Sequence, residues 1–285
     1  MTGDGGFGSL GAWLPRSTPL SELTVLAPVI EELGYGTLWI SGGREPGVLA
    51  TVTSVLNVTR SMTIAPGIVN IWAETPQSVT TAWNAIESAH PGRLVVGLGV
   101  SHGPLVDEAG LGHYERPLDR VRDFLDGLDA DDGVPRERRV LGALGPKMVD
   151  LARSRTLGSH PYLVTAEHTA AIRSRLGEAF LGPELGVVLE PDRDRGRAVA
   201  RAALERYFRL PNYTRNWLRA GFGSEDLLNG GSDRLIDAVV AIGDIEAIAR
   251  RVQEHRAAGA DHVAVQVLNP VEDLADAFRA LAALR

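Results

Sequence analysis

Residues 62–70, MTIAPGIVN, and 93–102, RLVVGLGVSH, decide how this chain reads. Each is a short apolar run that ends in small or polar residues. The stretch between them, 73–91, has the spacing of a helix. The result is a β–α–β unit whose strands are too uniformly apolar to face water on either side. Parallel strands covered on both faces have this character. In parallel barrels, chemistry gathers where strands end. The ends here offer Asn70, Ser101 and His102.

Working outward, apolar runs at 10–14, 37–40, 62–68, 94–100, 139–143, 160–164, 185–189 and 262–268 read as strands. Helical patterns separate them. The first helix carries Leu23, Leu26, Val29, Ile30 and Leu33, with Pro19 near its start and Gly34 past its end, the usual asymmetry of helix termini. Others fall at 46–57, 76–90, 114–128, 167–176, 245–258 and 274–284. Eight strands alternating with helices, with no break in composition, predict an α/β fold: one (β/α)8 TIM barrel spanning 1–285. A doubly wound sheet is the alternative, because order alone does not show closure. Against it, no GxGxxG follows the first strand. Segment 193–243 breaks the rhythm as a helical insertion after strand seven. It holds a basic–apolar helix at 195–210 and the aromatic residues Tyr207, Phe208, Tyr213, Trp217 and Phe222. Such an insertion either shapes a pocket or serves packing and dimer formation.

Composition narrows the function. With 285 residues, 44% hydrophobic and 23% charged, the chain is ordinary for a globular protein. The absence of cysteine removes disulfides, thiolate metal sites and a cysteine nucleophile. A formal charge of −7 argues against general nucleic-acid or anionic-membrane binding. No apolar run approaches the roughly 20 residues of a spanning helix. The opening residues 1–11 have neither a basic start nor an apolar core, so a cytoplasmic protein without a secretory leader is expected. Lys147 is the sole lysine.

Three strand ends can carry chemistry. At 142–147, GALGPK leaves a strand and enters a helix. Gly145 permits close backbone approach, Pro146 suits the first helical turn, and free N–H groups there attract anions. Lys147 adds a charge. The motif fits a phosphate, and equally a tight turn before a helix. At 97–103, GLGVSHG removes side chains from alternate strand positions, leaving room for a flat ligand or for neighbouring bulk. His102 beyond it is either an acid/base near neutral pH or a hydrogen-bonded structural residue. At 67–72, GIVNIW, Gly67 suggests a bulge, and Asn70 places a directional polar group at the strand end. His160 and Tyr162 open strand six, pointing into the barrel or capping a turn. No HxH, HExxH or paired-carboxylate spacing suggests a metal.

Together, GIVNIWAETP, PGRLVVGLGVSH, YERPLDRVRDFLDGLDA, LGALGPKMVDLA, SHPYLVTAEHT, GGSDRLIDAVVA and AGADHVAVQV resemble the luciferase-like monooxygenase-fold oxidoreductases, in the actinobacterial subgroup expected to use the deazaflavin coenzyme F420. The resemblance covers nearly the whole chain. It implies a barrel with an insertion after strand seven and a flat tricyclic ring over the barrel mouth. It implies hydride exchange with a small organic substrate, and commonly a homodimer. Gly67, Ile68, Val69 and Asn70 match the strand-three bulge that backs the ring, often with a non-prolyl cis peptide. Ser101 and His102 match the strand-four end beside it. Leu144, Gly145, Pro146 and Lys147 match the phosphate-proximal turn, and Tyr162 the tail channel. His102 is the expected acid/base, with Asn70 or Ser101 positioning ring or substrate. FMN, with oxygen as co-substrate, is the alternative cofactor; a non-catalytic cofactor-binding barrel is a third reading. After strand two, relatives usually place an acidic residue or a histidine near the ring. This chain has Ser41, Gly42 and Gly43 there, with Glu45 as the nearest acid.

Overall fold

The computed structural model describes residues 6–43, 46–130, 133–269 and 274–285. Its strands are β1 (Leu10–Leu14), β2 (Thr37–Ile40), β3 (Thr63–Pro66), β4 (Val69–Asn70), β5 (Val96–Gly99), β6 (Arg139–Leu141), β7 (Gly158–Ser159), β8 (Phe180–Leu181), β9 (Glu184–Leu189), β10 (Val240–Gly243) and β11 (Val263–Val267). The helices are α1 (Leu20–Glu32), α2 (Val48–Leu56), α3 (Pro76–Ala89), α4 (Gly103–Glu108), α5 (Pro117–Ala130), α6 (Pro146–Arg155), α7 (Ala166–Leu176), α8 (Arg193–Leu204), α9 (Pro211–Arg219), α10 (Asp233–Val239), α11 (Ile245–Ala257) and α12 (Leu274–Leu281).

All strand pairs are parallel, in two runs: β10-β9-β11-β1-β2-β3 and β4-β5-β6-β7-β8. Backbone bonds join the runs at both ends. Ile64 N–H donates to Arg93 O at 2.9 Å and Val95 N–H to Ile64 O at 3.2 Å, tying β3 to the approach to β5. Asp261 N–H donates to Leu181 O at 2.9 Å, tying β8 to the approach to β11. With β3/β4 and β8/β9 each taken as one interrupted strand, the eight principal strands form the ring of a (β/α)8 barrel. Its interior is packed. Phe7, Trp13, Trp39, Ala65, Val95, Val140, Phe180 and Ala264 form one buried cluster inside the ring, with Phe7 stacked on Phe180 at 4.1 Å between centroids. The other strand faces, such as Leu10, Ala12 and Leu14 of β1, join the larger core beneath the helices. Burial on both faces is why the strands lack polar alternation.

Several boundaries differ from the sequence reading. The run at 160–164 is not a strand: β7 is only Gly158–Ser159, and His160 N–H donates the last ladder bond, to Leu141 O at 2.9 Å. Pro161 has no N–H to continue it. The helix expected at 114–128 starts at Pro117, after Arg116 adopts φ 46°. The helix at 195–210 becomes α8 followed by a 3₁₀ turn, Glu205–Arg209. The segment 193–243 is not wholly helical either. It ends in β10, which pairs in parallel with β9, Val240 opposite Gly186 and Gly243 opposite Leu189.

Candidate active site

A cavity of about 1190 Å³ opens at the carboxyl ends of the strands, between the barrel and the segment from α8 to α9. Gly67, Ile68, Ser101, His102, Leu144, Gly145, Pro146, Lys147 and Tyr162 all line it. Residues expected from scattered positions thus converge on one space.

The floor is made by the break between β3 and β4. The Gly67–Ile68 peptide bond is cis. The Ile68 side chain turns inward, into the space that glycines leave. A Cβ on Gly99 would lie 2.8 Å from Ile68 Cγ1, one on Gly97 3.3 Å from its Cγ2, and one on Gly142 3.4 Å from the same Cγ2. Gly99 therefore makes room for the Ile68 side chain, while at Gly97 a Cβ would first meet the Pro66 carbonyl oxygen, at 2.2 Å. Gly42 has a related cause: a Cβ there would lie 1.6 Å from the Ile68 carbonyl oxygen. No acidic or histidine side chain fits at Gly42 while the floor keeps this path. Glu45 lies outside the described residues.

Two expected residues do not reach the cavity. Val69 is fully buried in the core beneath the helices. Asn70 is buried, and its Oδ1 accepts from Trp72 N–H at 3.1 Å, an Asx-type turn leading toward α3. Strand alternation and the break at Gly67 leave Ile68, not its successors, facing the ring interior.

Trp13 and His160 stand beside the floor, and both line the cavity. His160 is stacked on Trp39, 3.8 Å between centroids and 5° between planes. Its Nδ1 bonds Gly182 O at 2.6 Å, so Nδ1 carries the proton and Nε2 the lone pair. Burial, opposed by that bond and aided by His262, pushes its pKa down to about 3. His160 is a neutral, fixed ring.

His102 follows Ser101, which adopts φ 55°, and precedes α4. Its ring lies 4.9 Å from that of Tyr213, and its buried Nδ1 has no protein hydrogen-bond partner. Burial first, and the nearby Arg206 charge second, push its pKa down to about 4. The expectation of titration near neutrality is corrected: at pH 7 this imidazole is neutral, able to donate or accept one hydrogen bond at each nitrogen.

The insertion supplies the roof. Arg206 Nη2 donates to Tyr207 OH at 2.7 Å, and the Tyr207 and Tyr162 hydroxyls are 3.0 Å apart. Tyr162 OH donates to Gln266 Oε1 of β11 at 2.8 Å. This chain fixes the roof to the barrel wall. Just behind it, the buried Glu184 of β9 accepts from Leu163 N–H at 3.2 Å through Oε2, while Oε1 has no partner. Burial raises its pKa to about 8.

At the far side, α6 begins at Gly145 without a side-chain cap. Arg219 Nη2 approaches to 4.0 Å from where a Gly145 Cβ would be, and nothing else is nearer. Arg219 also bonds Asn216 Oδ1 at 3.0 Å. Asn216 Nδ2 bonds His168 Nδ1 at 2.9 Å, and His168 Nε2 bonds Leu144 O at 3.2 Å. The insertion is thereby tied to the β6–α6 turn. Sequence reasoning missed Trp13, Arg206, Arg219 and Glu184; the inward parity of β1 and β9 was the available signal for two of them. Among the described residues, no group of three or more His, Asp and Glu could hold a metal ion, and no helix is long and apolar enough to cross a membrane.

A parallel barrel with a broad, partly cationic cleft across its strand ends is of the kind that holds extended anionic ligands over a packed core. Residues 7–130 match the family model described as luciferase-like monooxygenase. A curated relative, 5,10-methylenetetrahydromethanopterin reductase of Archaeoglobus fulgidus, is 24% identical over 266 residues, covering 82% of this chain and 79% of that protein. Among solved structures, an F420-dependent secondary alcohol dehydrogenase in complex with an F420–acetone adduct superposes with a TM-score of 0.75, at 15% identity over 98% of each chain. The oxygenating constituent of 3,6-diketocamphane monooxygenase from Pseudomonas putida, in complex with FMN, superposes at 0.70, with 15% identity over 96% of each chain.

Proposed function

We propose that this chain is a two-electron oxidoreductase that holds coenzyme F420 across the barrel mouth and acts on a small organic substrate. The observation that carries the reading is the cavity itself: a single space bounded by Ile68 below, His102 on one wall, the uncapped start of α6 on another and the insertion above. The residues fit the coenzyme. Gly145 leaves room for a phosphate beside Lys147 and Arg219, where the helix start and both side chains favour negative charge. The similarity to the F420-dependent secondary alcohol dehydrogenase supports the choice.

When bound, the deazaflavin supplies the hydride acceptor or donor. The chain's own residues do the rest. Gly67 and Ile68 form a flat floor. Ser101 and Tyr162 border the ring and its tail. Lys147, with the Leu144–Gly145–Pro146 backbone, takes the anionic end. His102, neutral and held beside Tyr213, offers a nitrogen to the substrate's hydroxyl or carbonyl and moves the proton that accompanies hydride transfer. The insertion covers the cleft and excludes water.

Titrating the protein with F420 at micromolar concentration should quench the cofactor's fluorescence; no response rejects the reading. The FMN-bound neighbour supports a second reading, a flavin monooxygenase. Oxygen uptake with reduced FMN, in a protein indifferent to F420, would establish it.

A further inference from the structure

We propose that Arg206 is the recognition group for an anionic substrate, a carboxylate in the first instance, and that it holds this group beside His102. The inference rests on reading the cavity as an active site and names the class of molecule the site takes.

The cavity carries the opposite charge from the protein as a whole. The net charge is −7, yet the cavity is lined by Lys147, Arg206, Arg209, Arg215 and Arg219. Glu108 and Glu205 are the acids among its described lining residues. Lys147 and Arg219 belong to the α6 turn, where the cofactor's anionic end is expected. Glu205 is already paired with Arg209 at 3.1 Å. Arg206 is different. It lies on the roof, not at the turn, and its field reaches His102. Among the described residues no carboxylate pairs with it. Many arginines elsewhere, though not all, are ion-paired, as Arg197 is to Asp237 at 2.6 Å and Arg155 to Asp129 at 2.6 Å.

Arg206 is also held in place. Its guanidinium lies over the Tyr207 ring, 4.8 Å from the centroid, and one nitrogen donates to Tyr207 OH. Tyr207 is buried and bonded through Tyr162 to Gln266. A stacked guanidinium keeps its fork of N–H donors in one plane, the shape a carboxylate accepts in two parallel bonds. Most of these donors have no protein partner. A fixed, unpaired cation aimed at a cleft loses little entropy when an anion arrives.

The test uses benzoate and its neutral isostere benzamide, titrated calorimetrically into F420-loaded protein, both wild type and the variants Arg206→Gln and Arg206→Lys. Wild type should bind benzoate at least about 10-fold more tightly than benzamide, the size of one charge-assisted bond pair. Arg206→Gln should lose that preference and Arg206→Lys should keep part of it, while F420 affinity stays within about twofold in all three. Equal binding of the two probes by wild type overturns the proposal, as does a preference that survives in Arg206→Gln. A parallel loss of F420 affinity in Arg206→Gln overturns it too, by making Arg206 a cofactor ligand. If F420 does not bind at all, the proposed function fails. The same pair of probes, titrated into the cofactor-free protein, then decides the role of Arg206 alone.

Discussion

Glu184 makes the stability of this protein fall as pH rises through neutrality, and replacing it with glutamine should remove that slope. The carboxyl is buried inside the barrel with one oxygen unpartnered, and its pKa is raised from 4.5 to about 8. In the unfolded chain it ionises near pH 4.5; in the folded chain it keeps its proton until about pH 8. Between these values the native state binds more protons than the unfolded state, so unfolding releases a proton and stability drops with pH. The stabilising contribution is complete below pH 4.5 and lost above pH 8. Each pH unit between the two values contributes about 1.36 kcal/mol, which sets a ceiling of about 5 kcal/mol. Glu184→Gln keeps an oxygen for Leu163 N–H and does not ionise. Urea unfolding of both proteins at half-unit steps from about pH 5 to 8.5 should show the variant gaining on wild type by about 1 kcal/mol per pH unit. A difference that is constant with pH would refute the assignment of a neutral, buried carboxyl at this position.

Three further outcomes follow from the same geometry. His102, His160 and His255 have pKa values lowered to about 4, 3 and 4, so their stabilising contribution is present above about pH 6.5 and lost as pH falls toward those values; unfolding midpoints should drop over that window, and His102→Gln should make the drop shallower. His102→Ala should lower turnover by about 10²–10⁴ while leaving F420 affinity nearly unchanged; equal losses in a fluorescence titration and a rate assay would make it a cofactor-binding residue. Gly42→Ala should cost about 3 kcal/mol or more, because its Cβ meets a backbone oxygen and not a movable side chain; a melting temperature equal to wild type would show that the floor can take another path.

The barrel was legible because its strands are short apolar runs buried on both faces, and β5 and β11 fall close to where the pattern puts them. The ends were harder. β7 stops early because Pro161 withdraws a donor, a local fact visible in sequence but outweighed by the apolar run after it. β10 hid because the apolar run 238–243 spans the end of α10 and the whole of Val240–Gly243, so that a helix passes into a strand without a turn signal. The site divides in the same way. His102 and the Gly145 turn are announced by local motifs. Gly97 and Gly99 announce only a missing side chain; that the Pro66 carbonyl and the Ile68 side chain take the space depends on contacts about 30 residues away. Asn70 looked functional from its place at a strand end, yet the break at Gly67 shifts which residue faces inward. Arg206 carries no local mark at all, and strand parity places Glu184 inward without marking its role. One matters for having no acid near it and the other for having no water, and both are properties of the folded neighbourhood.

The pairing of β10 along the upper half of β9 brings the two ends of the roof segment side by side on the wall of the barrel. The chain leaves at the top of one strand and is zipped back against that same strand before rejoining the main circuit. Everything in between is a closed detour, fastened at its root and free of duties in the eight-strand ring. Its contents can be exchanged for another covering of different length or charge without breaking a single ladder bond between the principal strands, so the choice of guest can drift through evolution or redesign while the vessel beneath stays whole.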